Sequence, residues 1–117
     1  MSDIYEFDAI VIGAGVVGLS IAKELSEVYD NVLVIEKEHS FGQHTSSRNS
    51  EIIHSGIYYP QEALKTKLCV EGNRLLYSFL EKHNLPHKKC GKLIVATNLQ
   101  EQSVLEKLYK QGFKNGV

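Results

Sequence analysis

The sequence predicts an α/β fold built on a strand–helix–strand unit. The observations behind it are a β-branched apolar run at residues 7–12 that stops at a glycine, an amphipathic stretch of helix length behind it, and a second short apolar run at residues 32–36.

Residues 7–12, FDAIVI, have the length and composition of a buried strand in a parallel sheet, and Gly13 ends it. From Gly15 the sequence GVVGLSIAKELSEVYD predicts a helix with Val17, Ile21 and Leu25 on one face and Lys23, Glu24 and Glu27 turned outward; Asp30 and Asn31 close it. Residues 32–36, VLVIE, predict a second buried strand, reached by a right-handed crossover. Residues 37–56, KEHSFGQHTSSRNSEIIHSG, carry no helical stripe and predict a loop long enough to be functional. From Leu64 a long amphipathic helix is expected, with Leu68, Leu75, Leu76, Phe79 and Leu80 as its apolar side and Asn84 to Pro86 closing it. KLIVAT at residues 92–97 predicts a third strand. A last helix over residues 100–111 places Val104, Leu105 and Leu108 inward, with Gly112 just past its end.

The chain has 117 residues, 43% of them hydrophobic, enough for one modest core with little stability to spare. Thirteen Lys and Arg against 14 Asp and Glu leave no positive excess to neutralise a phosphate backbone, which excludes nucleic acid as a partner. The lysines between residues 82 and 92 are interrupted by histidines and read as a solvated face. Cys69 and Cys90 are too few and too far apart for a metal knuckle or a disulfide scaffold, and no metal site is expected; reduced thiols point to a cytoplasmic setting. The apolar run over residues 9–22 follows acidic rather than basic residues, holds three glycines and is too short to span a bilayer, so a soluble chain is expected.

Gly13, Gly15 and Gly18 form GAGVVG between the first strand and the first helix. In that context the first glycine allows the tight turn, the second lets backbone approach a pyrophosphate, and the third lets helix pack on strand. The helix N-terminus then offers N–H groups and the positive end of its dipole. This is a Rossmann-like dinucleotide site, set against the plainer reading of glycines that serve packing alone. Glu36 ends the second strand eighteen residues after Gly18, where such folds place the acid that accepts hydrogen bonds from ribose hydroxyls. Its charge repels a 2′-phosphate, which disfavours NADP and leaves NAD and the ADP half of FAD. A solvated glutamate at a strand end is the bland alternative. The long polar segment that follows favours FAD, because Thr45, Ser46, Ser47, Arg48, Asn49 and Ser50 supply a dense set of donors for a second phosphate and a ribitol.

GAGVVGLSIAKEL, VIEKE, TSSRNSEIIHSGIYYPQEALKTKLCVEGNRLLY and CGKLIVA together resemble the N-terminal part of the FAD-dependent D-amino-acid oxidase and glycerol-3-phosphate dehydrogenase superfamily. Within it, NSEIIHSGIYYP, KLCVEGNRLLY and CGKLIVA are most similar to the L-2-hydroxyglutarate dehydrogenases and oxidases. The resemblance implies a flavoenzyme that takes a hydride from the hydroxyl-bearing carbon of an L-2-hydroxy acid, giving a 2-oxo acid and reduced FAD, with a quinone or oxygen as electron acceptor. It implies that Gly13, Gly15, Gly18 and Glu36, with Lys37 beside it, hold the ADP half, and that Thr45, Ser46, Arg48 and Asn49 lie along the pyrophosphate and ribitol. His54 is implied near the flavin ring as the candidate catalytic residue, a base for the substrate hydroxyl or a group that orients it. Arg48 suits a phosphate or a substrate carboxylate equally. Tyr58 and Tyr59 either line the site or pack, and the two cysteines lack an activating neighbour in sequence.

Members of this superfamily run to several hundred residues. The resemblance therefore implies that residues 1–88 are the N-terminal part of an FAD-binding domain and residues 89–117 the beginning of a truncated substrate domain, an incomplete unit expected to be inactive alone. It also implies a place peripheral to the inner membrane for the full-length relatives, beside the cytoplasmic setting expected from the thiols. A freestanding dinucleotide module completed by a second chain, and an NAD-dependent protein, are the alternative readings.

Overall fold

The computed structural model describes residues 4–117. Contacts within the chain divide it into two compact units, one ending at Glu51 and one spanning Ile52–Val117. The division expected at residues 88 and 89 concerns the domains of longer relatives and is a separate matter.

The first unit is strand, helix, strand. Strand β1 spans Ala9–Ile12, helix α1 Val16–Ser26 and strand β2 Val32–Ile35. The strands pair in parallel with Ala9 opposite Val32 and Ile12 opposite Ile35. Asp8 fixes the register ahead of the ladder: its N–H donates to the Asn31 carbonyl at 3.0 Å and its carboxylate accepts the Asn31 N–H at 3.0 Å.

Both strands were expected to be buried, and that expectation fails. Side chains alternate across a strand, and α1 packs on one face of this sheet only, so Val11 is buried while Ile10 and Ile12 are 54% and 86% exposed. The helix face is also rotated from the one expected. Gly18, Ala22 and Leu25 are its less exposed residues, whereas Val17 and Ile21 lie open. The cause is Gly18: a Cβ there would stand 1.9 Å from the Gly13 carbonyl oxygen, so helix and turn meet at that residue, and the turns above it on the same face follow.

The second unit holds helix α2, Leu64–Lys82, and helix α3, Leu99–Asn115. Asn84 takes a left-handed φ of 52° and the Leu85 N–H reaches back to the Leu80 carbonyl at 2.9 Å, which closes α2 where the sequence predicted it. Asn98 caps α3 by accepting the Glu101 N–H at 2.9 Å, and Glu101 returns to the Thr97 N–H and hydroxyl, both at 2.8 Å. These bonds hold the Glu101 carboxyl below its ordinary range, chiefly through the Thr97 N–H.

Other expectations need correction here. Residues 92–97 form no strand: Ile94 and Ala96 are half-buried and Leu93 and Val95 exposed, but among the described residues no strand pairs with them. The inward side of α2 is Thr66, Cys69, Val70, Asn73, Tyr77 and Leu80, while Leu68, Leu75, Leu76 and Phe79 are 41–57% exposed. On α3, Leu105 and Leu108 are half-buried as expected, Val104 is exposed, and Gly112 lies inside the helix, facing Ile57, rather than past its end. In both helices the inward face includes residues that serve the loop at 54–60, a demand that apolar spacing does not register.

Candidate functional site

In the first unit the glycine turn assembles from backbone. Gly13 has φ +105°, open to glycine and strained for other residues, and its N–H donates to the Ile35 carbonyl at 2.7 Å, tying the turn to the end of β2. Glu36 follows directly, and its carboxylate accepts the Ala14 N–H at 2.7 Å and the Glu38 N–H at 3.0 Å. The Ala14 bond first, then the Glu38 bond, hold the Glu36 carboxyl below its ordinary range. It is therefore ionised at neutral pH and stands at the positive end of α1.

Ser46 arrives from the long loop. The loop folds back where the Gly42 N–H donates to the Ala14 carbonyl at 2.9 Å and turns in a short 3-10 helix, Thr45–Ser47. Ser46 Oγ accepts the Val16 N–H at 2.8 Å, covering one of the donors that a helix start leaves without an intrahelical partner. A Cβ at Gly15 would meet that oxygen at 3.1 Å. Gly13, Gly15, Gly18, Glu36 and Ser46 are thus brought to one helix N-terminus.

The remaining expected residues of this unit sit around it. Lys37 is exposed, its Nζ 3.7 Å from Glu38. Thr45 opens the 3-10 turn, and its carbonyl accepts from the Arg48 N–H and from Asn49 Nδ2. Asn49 also bonds the Ser46 carbonyl at 3.0 Å, and Arg48 Nη1 donates to the Gln43 carbonyl, so both side chains bind their own loop. Glu38 and His44, given no role from sequence, pair at 2.9 Å.

His54 lies in the second unit with its side chain exposed, and its carbonyl accepts from Asn73 Nδ2 at 3.3 Å. The carbonyls that follow it are held the same way. Gln111 Nε2 donates to Ile57 at 2.9 Å and Tyr59 at 3.1 Å, and Asn115 Nδ2 donates to Gly56 and Tyr59, both at 3.0 Å. Thr66, 3% exposed, donates its hydroxyl to the Pro60 carbonyl. Gly56, at φ +90°, packs where a Cβ would meet Val70 at 3.1 Å and the Thr66 carbonyl at 3.3 Å. Sequence reasoning missed Asn73, Gln111 and Asn115; their signal is an amide at an inward helix position, legible only once the loop they serve is known. Tyr58 and Tyr59 lie under Lys92 and Lys65, at 4.6 and 4.3 Å from ammonium to ring centre. A groove of about 540 Å³ along α2 and the end of α3, lined by Thr66, Lys67, Val70 and Arg74 among others, contains none of the expected cofactor residues. Among the described residues no group of three or more His, Cys, Asp or Glu is arranged to hold a metal, and no helix is long and apolar enough to cross a membrane.

Residues 8–117 match the model of the DAO family, described as FAD dependent oxidoreductase. An Arabidopsis thaliana protein named L-2-hydroxyglutarate dehydrogenase, mitochondrial, is 53% identical over 110 residues, 94% of this chain and 23% of that protein. The Homo sapiens protein of the same name is 44% identical over 113 residues, 95% of this chain and 24% of that protein. Among solved structures, a dithionite-reduced L-α-glycerophosphate oxidase from Mycoplasma pneumoniae with FAD bound superposes with a TM-score of 0.78 at 33% identity, covering 94% of this chain and 29% of that one. The chain spans about a quarter of the length of the curated relatives it matches. It belongs to the DAO family of FAD-dependent oxidoreductases, and FAD is the cofactor of that family. The expectation of a cytoplasmic setting is overturned, because these relatives are named as mitochondrial. Cys69 and Cys90 are free, but a reduced thiol reports redox state and not compartment.

Proposed function

We propose that this member of the FAD-dependent oxidoreductases carries the dinucleotide-holding part of an enzyme that oxidises an L-2-hydroxy acid, L-2-hydroxyglutarate in the first instance, to the 2-oxo acid, with a quinone or oxygen as final acceptor. The single observation that carries the cofactor side is the helix start at which the Ala14 N–H meets Glu36 and the Val16 N–H meets Ser46. The residues fit the group. Glu36 is an ionised acceptor beside the turn, as ribose hydroxyls require, and it repels a 2′-phosphate. Ser46 accepts from Val16 and keeps its own O–H to donate to a phosphate oxygen. Gly15 leaves backbone uncovered where a side chain would stand.

When bound, FAD supplies the hydride acceptor. The chain's residues bind and orient: Gly13, Gly15, Gly18, Glu36 and Lys37 on the ADP half; Thr45, Ser46, Arg48 and Asn49 on the pyrophosphate and ribitol; His54 beside the flavin ring, to orient the substrate hydroxyl or take its proton. The substrate class rests on the names of the relatives and on their 53% and 44% identity over nearly the whole of this chain. In this reading residues 1–88 belong to the FAD-binding domain and residues 89–117 open the substrate domain.

The test is dye reduction with excess FAD and L-2-hydroxyglutarate, run on the 117-residue chain beside a full-length relative. The relative is expected to turn over and to lose activity on substitution at the position matching His54. The chain alone is expected to give no turnover, since hydride transfer needs the substrate carboxylates held at near-attack distance. Substrate-dependent reduction by the chain, abolished by His54→Ala, would show that these residues suffice. Unchanged turnover in the substituted relative would remove His54 from the site.

A further inference from the structure

We infer that Glu38 and His44 form a clasp that positions Ser46 on the first turn of α1, making both positioning residues for the cofactor turn; the functional part of this inference rests on the proposed FAD reading. The observation is a closed circuit of hydrogen bonds. The Ala14 N–H donates to Glu36, whose other carboxylate oxygen accepts the Glu38 N–H. Glu38 Oε1 meets His44 Nε2 at 2.9 Å. His44 caps the 3-10 turn, its carbonyl accepting the Ser47 N–H at 3.0 Å, and Ser46 in that turn accepts the Val16 N–H. Both ends of the circuit therefore land on one helix start, two residues apart.

The Glu38–His44 contact is the single link in this circuit made between two side chains; every other link uses backbone on at least one side. A carboxylate can only accept, so Nε2 carries the proton whether the ring is neutral or charged. The loop is also tied at Gly42, whose N–H donates to the Ala14 carbonyl; without the Glu38–His44 link the stretch from Gly42 to Ser46 has no side-chain tether to the strand end, and placing the Ser46 hydroxyl would cost more conformational entropy each time a phosphate bound. The side chains of His44 and Glu38 are 63% and 34% exposed, so the pair adds little to global stability and acts on placement.

The test is amide hydrogen exchange on the chain without cofactor, followed by FAD titration. His44→Ala and Glu38→Ala should each speed exchange at the Val16 amide by about one and a half to five times, the range of an exposed ion pair. Val11 in β1 should be unchanged, and the double variant should do no more than either single one. His44→Gln retains an N–H donor and Glu38→Gln an acceptor, and both should restore slow exchange. The Kd for FAD should rise by the same factor in the alanine variants. Unchanged Val16 exchange, equal acceleration at Val11, or additive effects in the double variant would each overturn the clasp. Should the unsubstituted chain fail to bind FAD at any concentration, the cofactor reading falls, while the exchange measurement still decides the clasp.

Discussion

In the unit that ends at Glu51, the contacts that shape the candidate site begin from backbone N–H groups: Gly13 to Ile35, Ala14 to Glu36, Val16 to Ser46. In the unit from Ile52 onward the direction is reversed, with side-chain amides of Asn73, Gln111 and Asn115 reaching to the carbonyls of His54, Gly56, Ile57 and Tyr59. The first arrangement leaves a helix start facing outward with its donors lightly covered, which suits an anionic ligand. The second saturates a loop's acceptors from its own helices, which suits holding a side chain such as His54 in place. In the proposed reading, one unit receives a ligand on backbone and the other presents a residue.

The sharpest way to break this contrast is Gly18→Ala. Its Cβ would sit 1.9 Å from the Gly13 carbonyl oxygen, a backbone atom with little room to yield, so α1 must be displaced from the turn. A loss of about 1–3 kcal/mol in the first unit and loss of FAD binding are expected, read by denaturant titration and flavin fluorescence. Amide exchange at Gly112 should not change. Gln111→Ala is the counterpart. Leaving the Ile57 and Tyr59 carbonyls without this donor is expected to cost the second unit about 1–3 kcal/mol, and exchange at Val11 should stay as it is.

How much of this was legible follows from the same contrast. The glycine turn could be read because φ +105° at Gly13 and the tight approach at Gly18 are demands that only glycine meets, and they lie within six residues of each other. Glu36 could be read because a strand end fixes its place relative to that turn. The clamp on residues 56–59 could not be read: Gln111 and Asn115 lie 52 to 59 residues from the carbonyls they serve, and no local pattern marks an amide for so distant an acceptor. The helix faces failed for a related reason. Apolar spacing assigned Leu75 and Phe79 inward, whereas Thr66 and Asn73 are turned inward to satisfy loop carbonyls. Residues 92–97 have the alternation of a strand, but a strand also needs a neighbour.

The smallest expected effect is on pH dependence. The folded-state pKa of Glu36 is depressed by the Ala14 and Glu38 N–H groups, so its contribution to stability is present above the ordinary carboxylate pKa and is lost as pH falls through the lower, folded value. Glu101 shifts in the same direction through Thr97, so both units lose stability on the acid side. Glu36→Gln should flatten the acid limb for the first unit only, seen as protection at Val11, relative to its intrinsic exchange rate, that falls less as the carboxylates protonate. Equal flattening at Gly112 would mean that the two units do not respond separately.

The central claim is that the turn from Gly13 to Gly18 is the phosphate side of an FAD site, and titration of the chain with FAD by flavin fluorescence tests it most directly. Weak but saturable binding is expected. Glu36→Ala should weaken it about ten- to a hundredfold, as for loss of a charge-assisted hydrogen bond of about 1.5–3 kcal/mol. Gly15→Val should abolish it, because a branched side chain would stand against Ser46 where the phosphate meets backbone. A Gly15→Val chain that binds FAD as the unsubstituted chain does would contradict the account.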